Sequence, residues 1–424
     1  MAVLGQVPPA LRHRPDPAPP GRRRGGHVTA PLRALFGPAR QERGPATRPR
    51  DLRRAPGARR RVPLVLCAAS AWLVFVAAHH ALSGRVWWWQ LPELVPPLAL
   101  AAVPVALLGA ALAARRARRA AVAVALAALT LGGGASGLNP AALWHRADPA
   151  PADAIKVFSW NTWYWDQPVG RQLPPPTGTP PRDVAAFYRY LRAQDADVLL
   201  LQEYVYFGAD SRPIRVNDLD RLRGEFPGFH IAAASELVTL SRFPIVLERG
   251  LDLRPHAPEH AAPVPPGSDW PGFHTVKTLR TDLRVGSRTV SFYNSHINSP
   301  VGGSAGGLGL SRLNRAQHEA RAANLRALAA DIQANPLPAV LAGDFNASPA
   351  MGILRLVPER MADATPALRS LYPATWNDRW TLGALWRIDW AYTTQEVAVH
   401  EYRLVRSDGL SDHSGQRLVI SFSR

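Results

Sequence analysis

Cysteine is nearly absent from this chain of 424 residues: Cys67 stands alone, so no intramolecular disulfide can form. Oxidising compartments permit disulfides without requiring them, so location stays open. Lysine is almost as scarce, occurring only as Lys156 and Lys277, and arginine supplies nearly all the positive charge. With abundant Ala and Pro, this looks like a GC-rich coding bias and carries no function. Residues 146–424 lack a basic excess. Residues 1–61 hold 15 Arg against Asp16, Glu42 and Asp51, a charge of +12. Residues 62–145 add +4, which leaves +2 of the total +18 for the rest. A nucleic-acid-binding domain usually shows a basic stripe, and the C-terminal part has no such surplus. No internal repeat is present.

Residues 1–61 are rich in Pro, Gly and Arg, show no apolar period and read as a disordered cytoplasmic tail. Three apolar stretches follow, at about 62–79, 91–114 and 120–138. A spanning helix needs roughly 20 mostly apolar residues, so residues 62–138 are expected to form three transmembrane helices. Cytoplasmic flanks collect arginine. "RRRV" before the first stretch and "RRARR" between the second and third both qualify. "VWWWQ", between the first and second, suits an interfacial aromatic belt. The expectation is a multi-pass protein of the cell membrane, with a lipid bilayer as partner and residues 139–424 outside the cytoplasm.

Residues 139–154 read as a linker. Beyond it, 155–161, 197–203, 276–285, 288–296, 338–344, 387–394 and 416–422 read as strands. Residues 183–194 and 311–333 read as helices, the second long and amphipathic. The segments 168–182, 254–273 and 299–309 are rich in Pro or Gly and are expected at the surface. The pattern is a mixed α/β domain over 155–424.

Several strands end in polar residues. Asn161 and Glu203 close the first two, and "FYNSHIN" places His296. "VLAGDFNASP" ends an apolar run in Asp344 and Asn346, "RIDWAY" holds Asp389, and "GLSDHSG" holds Asp412 and His413. Each alone is weak. "AGDFN" taken singly is an Asx-type turn, and a lone His is more often structural. As an ordered set, "FSWNTW", "VLLLQE", "SRFPI", "YNSHIN", "LAGDFNASP", "WRIDWAY" and "LSDHSG" resemble the endonuclease/exonuclease/phosphatase superfamily. That group includes pancreatic-type deoxyribonuclease, abasic-site endonucleases, sphingomyelinases and inositol-polyphosphate 5-phosphatases.

The resemblance implies a four-layer α/β/β/α sandwich with its site where strand-end loops of both sheets meet. The residues themselves agree. Glu203, Asp412 and Asn161 offer hard oxygen ligands suited to Mg²⁺ or Mn²⁺ rather than zinc. His413 can meet the same phosphate, with Asp389 orienting its ring. By resemblance, Asp344 activates the attacking water, Asn346 positions phosphate or water, and His296 donates to a non-bridging oxygen. "SRFPI" matches a structural strand of the family. One departure is Trp163, where some members carry a second acid, so a second metal ligand there is in doubt. Asp166 is out of register.

Fold and catalytic set fix a reaction class and not a substrate. The near-neutral catalytic part argues against a duplex-binding nuclease. The short linker favours a lipid-linked or envelope phosphate as the phosphoester substrate. Three spans plus an outward hydrolase resemble actinobacterial membrane proteins of the VanJ type, associated with teicoplanin resistance. The alternatives are a membrane-anchored nuclease acting on DNA or RNA, and a non-catalytic scaffold, which the intact set disfavours.

Overall fold

Two six-stranded sheets lie face to face, because most strands of this chain are apolar on both sides and each side needs cover. The computed structural model describes residues 63–166, 183–207, 212–261, 263–300, 310–376 and 384–422. The tail expected over 1–61, the insertion at 168–182 and residues 301–309 of the Gly-rich stretch lie outside the described residues.

The strands are β1 (Ile155–Asn161), β2 (Val198–Gln202), β3 (Val205–Phe207), β4 (Pro213–Arg215), β5 (His230–Ala234), β6 (Leu237–Ser241) and β7 (Ile245–Asp252). They continue with β8 (Val276–Val285), β9 (Arg288–His296), β10 (Ala339–Asp344), β11 (Ala362–Asp363), β12 (Asp389–Thr393), β13 (Val397–Val405) and β14 (Gly415–Phe422). One sheet runs β13-β14-β1-β2-β6-β5 and the other β11-β12-β10-β9-β8-β7; β3 and β4 form a small hairpin.

Alternation along the strands builds the layers. Val157 and Val198 of the first sheet meet Phe292, Val340 and Ala342 of the second in a buried seam between the sheets. The opposite face of the first sheet, with Phe158, Trp160 and Leu199, packs on Phe187 and Leu191 of α4 (Val184–Ala193). The opposite face of the second, with Tyr293, Leu341 and Trp390, packs on Leu325, Leu328 and Ile332 of α7 (Leu310–Ala334). The result is an α/β fold with two mixed sheets sandwiched between helices. Asp183 caps α4 by accepting from the Ala186 amide at 3.1 Å, a common device for the unpaired N–H groups of a first turn.

Two details depart from the sequence reading. "SRFPI" is not a strand: Ser241 ends β6, residues 242–244 turn, and Ile245 starts β7 in the other sheet. The Ser241 hydroxyl holds that crossover by accepting from the Phe243 amide at 2.9 Å. The surface segment 254–273 contains a short helical turn at Arg254–His256 and the start of a five-residue helix, Pro271–Thr275 (α6).

Residues 63–138 form α1 (Leu64–Leu82), α2 (Ala99–Ala113) and α3 (Arg118–Gly133). Among the described residues, only α1 is by itself long and apolar enough to cross a membrane; residues 87–113 make a second candidate if their two helical pieces, bent by 61°, count as one. The third expected span falls short. Its helix has 16 residues, opens on Arg118 and Arg119, and stops at Gly133.

Candidate active site

The inward face of each central strand is apolar until its end and then turns polar. Along β1 the inward residues run Ile155, Val157, Ser159, Asn161; along β9, Val290, Phe292, Asn294, His296; along β10, Val340, Ala342, Asp344. The pairing of strands sets them side by side. His296 lies opposite Asp344 across the parallel β9–β10 pair, and Asp344 opposite Asp389 across the antiparallel β10–β12 pair. Gly343 permits this approach. Its φ is +147°, and a Cβ there would lie 1.9 Å from the Ser295 carbonyl oxygen.

The two sheets then meet at one carboxylate. Asn161 Nδ2, from the first sheet, donates to Asp344 Oδ2 at 3.0 Å and to Glu203 Oε1 at 3.1 Å. Asn346 donates its amide to Asp344 Oδ1 at 2.7 Å and its Nδ2 to Oδ2 at 3.2 Å. Nε2 of His296 and Nε2 of His413 each lie 3.7 Å from Asp344 Oδ2. His413 Nδ1 is 2.9 Å from Asp389 Oδ2. Asp412 Oδ2 accepts from the Trp376 indole at 3.0 Å. The eight residues singled out in the sequence therefore share one neighbourhood. Asp166 lies apart and accepts from the Tyr206 hydroxyl.

Backbone strain gathers here too. Glu203 has φ +61° and Asn346 φ +48°, and Trp163, Tyr164 and Trp165 follow one another at +53°, +68° and +53°. Such conformations cost free energy and persist where surroundings enforce them. The side chains of the site do so: Asn161 Oδ1 accepts from the Trp163 amide and Glu203 Oε2 from the Tyr164 amide, both at 2.9 Å.

Burial and charge act against each other. Burial would lower the His413 pKa, but Asp389 and Asp344 hold it well above the ordinary imidazole value, which favours the charged ring. Burial works against the His296 charge too, and Glu236, ahead of Asp344 and Glu203, raises its pKa above the ordinary value. Burial lifts Asp344, opposed by His413. It also lifts Glu203, opposed by His296 and reinforced by Glu236 and Asp412.

The sequence reading missed four contributors. Glu236 sits 3.2 Å from His296 Nδ1 and forms a buried ion pair with Lys277. Burial works against its charge, yet Lys277 and His296 bring its pKa down to about 2. One of only two lysines in the chain, at the second position of an expected strand, was the available signal. Trp376 lies in a stretch without a period, and nothing marked it. Arg321, fully buried on α7, donates to the Asn346 carbonyl at 2.9 Å, while its Nε and Nη1 find no partner among the described residues. Beneath the site, Gln202 donates to Asn294 Oδ1 at 2.7 Å and ties the two sheets together.

Two donor groups suit a metal ion. Asp344, Asp389 and His413 form a buried cluster whose ligand atoms lie within 4.8 Å of one another. There, however, the His413–Asp389 contact has the geometry of a charge-paired hydrogen bond. Glu203, Asp412 and Asn161 are the alternative. Asp412 Oδ1 is buried without a hydrogen-bond partner; His413 Nε2, 4.0 Å away, is its ion-pair neighbour and leaves the lone pairs of that oxygen open to a metal ion. The oxygen-only donor set fits a hard divalent ion.

A model of the Endonuclease/Exonuclease/phosphatase family matches residues 158–413. No curated protein matches the chain. Solved structures with a similar fold include an endonuclease/exonuclease/phosphatase from Bacteroides vulgatus, at 16% identity and TM-score 0.44, covering 64% of this chain and 99% of that one. Another, from Beutenbergia cavernae, has 17% identity and TM-score 0.43, covering 64% and 72%. A mannosyl-6-phosphatase from Bacteroides thetaiotaomicron has 15% identity and TM-score 0.42, covering 63% and 100%.

Proposed function

The chain belongs to the endonuclease/exonuclease/phosphatase family, and from that premise we propose that it is a membrane-anchored, divalent-metal-dependent phosphoester hydrolase whose catalytic part faces away from the cytoplasm. The observation that carries the chemistry is the convergence of His296, His413, Asn161 and Asn346 on Asp344 Oδ2. Asp344 takes the proton of the attacking water. Asn346 and Asn161 hold the carboxylate in place. His413, kept cationic by Asp389, and His296, kept cationic by Glu236, donate to non-bridging phosphoryl oxygens and stabilise the charge that builds there. Glu203, Asp412 and Asn161 would hold Mg²⁺ or Mn²⁺. Such an ion polarises a phosphoryl oxygen and neutralises a leaving oxygen.

Anchoring rests on α1 and on the surfaces of its neighbours. Val74 of α1, Val105 of α2 and Leu126 of α3 are exposed apolar side chains, and helices apolar on outward faces suit lipid. At about 1.5 Å per residue, helices of 19, 15 and 16 residues span about 28, 22 and 24 Å, against about 30 Å of hydrocarbon. Snorkelling arginines at 115–119 extend the shorter pair. Those arginines lie at the far end from the contacts that Ser83, Leu94 and Asn139 make with the hydrolase part. That separation supports an arginine-rich cytoplasmic side. The substrate is a lipid-linked or envelope phosphate, consistent with the small charge of residues 146–424.

The test is hydrolysis of bis(4-nitrophenyl) phosphate and of bare duplex DNA by the purified full chain, with Mg²⁺, Mn²⁺ or excess chelator. Hydrolysis of the diester that needs metal supports the reading, and full activity in chelator removes it. Preference for DNA replaces it with a nuclease. A reporter fused after Arg424 and active only outside the cytoplasm checks the topology.

A further inference from the structure

The helical unit is not joined to the hydrolase part by a tether alone. It is built into the loops that carry the catalytic side chains. The turn after Asp344 and Asn346 reaches Ala350 and Gly352. There the Gly352 amide donates to Ser83 Oγ at 2.7 Å, and His79 Nε2 lies 2.7 Å from the Ala350 carbonyl oxygen. The backbones touch. A Cβ on Gly84, which has φ +71°, would lie 2.3 Å from the Ile353 nitrogen, and one on Gly352 would lie 2.3 Å from the Ser83 carbonyl oxygen. The loop after His296 is held as well, by Gln90 donating to the Pro300 carbonyl. The loop before Asp389 is held by Trp386 donating to the Leu94 carbonyl at 3.3 Å. Asn139, in the segment expected to be a free linker, donates to the carbonyls of Thr365, Leu368 and Ser370 at 2.9 to 3.3 Å.

These contacts fall on one end of the sandwich. They take the loops leaving β9 and β10 and the loop entering β12, which is the end where His296, Asp344 and Asp389 stand. Arg321 spans the same seam: its buried guanidinium is attracted by Glu93 of the helical unit and by Asp344. Exposed Trp88 and Leu91 continue the apolar surface of the helices at this level, where amphipathic rings favour the edge of a bilayer.

We propose that the helical unit is a wall of the catalytic site, with Ser83 and Gln90 as positioning residues, and that it seats the mouth of the site at the bilayer surface to act on a phosphoester carried by a membrane-embedded hydrocarbon chain. The proposal rests on the phosphohydrolase reading above. Water attacks phosphorus as its proton passes to Asp344, the P–O bond to the leaving oxygen breaks, and the departing alkoxide takes up a proton from water. A charged headgroup held at the interface by its chain reaches such a mouth without leaving the bilayer, whereas a soluble ester gains nothing from it.

The experiment uses the full chain in phosphatidylethanolamine/phosphatidylglycerol vesicles with Mg²⁺. Its two substrates share one scissile bond: 4-nitrophenyl hexadecyl phosphate in the bilayer and 4-nitrophenyl butyl phosphate in solution. The bilayer ester, with concentration expressed per membrane volume, should be hydrolysed with at least tenfold higher kcat/KM. Ser83→Ala and Gln90→Ala should each lower kcat about tenfold on both esters. Cooperative melting and the Mg²⁺ half-saturation should stay unchanged, and Ser83→Thr should restore turnover. Equal or better use of the butyl ester overturns the bilayer-level mouth and leaves the hydrolase intact. Wild-type kcat in both alanine variants overturns the positioning role. Silence on both esters and on bis(4-nitrophenyl) phosphate overturns the hydrolase reading and this proposal with it.

Discussion

His296 and Asp344 stand opposite one another in register on parallel strands, with the imidazole Nε2 3.7 Å from the carboxylate Oδ2. An acid and a base can share so small a space because each has its own support. Glu236 lies behind the ring, and two amide side chains lie on the carboxylate. The site is a set of such supported pairs, and single substitutions can separate them from one another.

Asp344→Asn keeps size and removes the basic oxygen. It also turns an acceptor surrounded by Asn161, Asn346 and two cationic rings into a group with donors of its own. Turnover should fall about 10²–10⁴-fold, the usual share of general-base catalysis, while KM changes little. Steady-state kinetics on bis(4-nitrophenyl) phosphate checks this, and a wild-type rate would remove Asp344 from the reaction.

Asp389→Asn tests the charge of His413. In the wild type the raised pKa keeps the ring protonated through neutral pH. The stability this contributes is full below about 6.5, the unfolded value, and is lost as pH rises through the elevated folded value. Without Asp389 the ring loses its proton at lower pH. The alkaline limb of kcat/KM should move to lower pH, and turnover at pH 8 should fall about 10²-fold or more. An unshifted limb would mean that another group sets it.

The catalytic strand ends were legible in the sequence because a strand has only two faces. Once Val340 and Ala342 face the core, Asp344 must follow them, and the same holds for His296 after Phe292. Glu236 was not legible. It meets Lys277 and His296, and those contacts depend on how the turn before β6 of one sheet packs over β8 and β9 of the other. No local period encodes such packing. The docking of the helical unit was hidden for a similar reason. Gly84 and Gly352 look like ordinary turn residues, and only their approach gives them meaning. The third apolar run was overread in length because Gly132, Gly133 and Gly134 are compatible with a membrane helix by hydropathy but end the helix here.

Glu203→Gln should separate metal binding from proton transfer. It removes a charge from the Glu203–Asp412–Asn161 set and leaves Asp344 untouched. The Mg²⁺ concentration for half activity should rise about tenfold or more, with turnover largely recovered at saturation. Calorimetric titration of Mg²⁺ into the variant gives the same comparison without turnover. Unchanged metal affinity would move the ion to the Asp344, Asp389 and His413 cluster.

Glu236→Gln joins the structural and catalytic roles of one residue, and a second substitution can part them. Glu236 is buried between Lys277 and His296. Removing its charge leaves a buried lysine unpaired, which typically costs about 3–5 kcal/mol. Thermal melting should therefore shift downward by several degrees or more. Adding Lys277→Met removes the stranded charge and should restore most of the lost stability, because a neutral pair replaces a half-broken ionic one. It cannot restore the anion behind His296. The double variant should melt near the wild type yet remain slow, with the acidic partner of that imidazole still missing. If turnover recovers together with stability, Glu236 serves only the fold, and His296 needs no carboxylate to do its work.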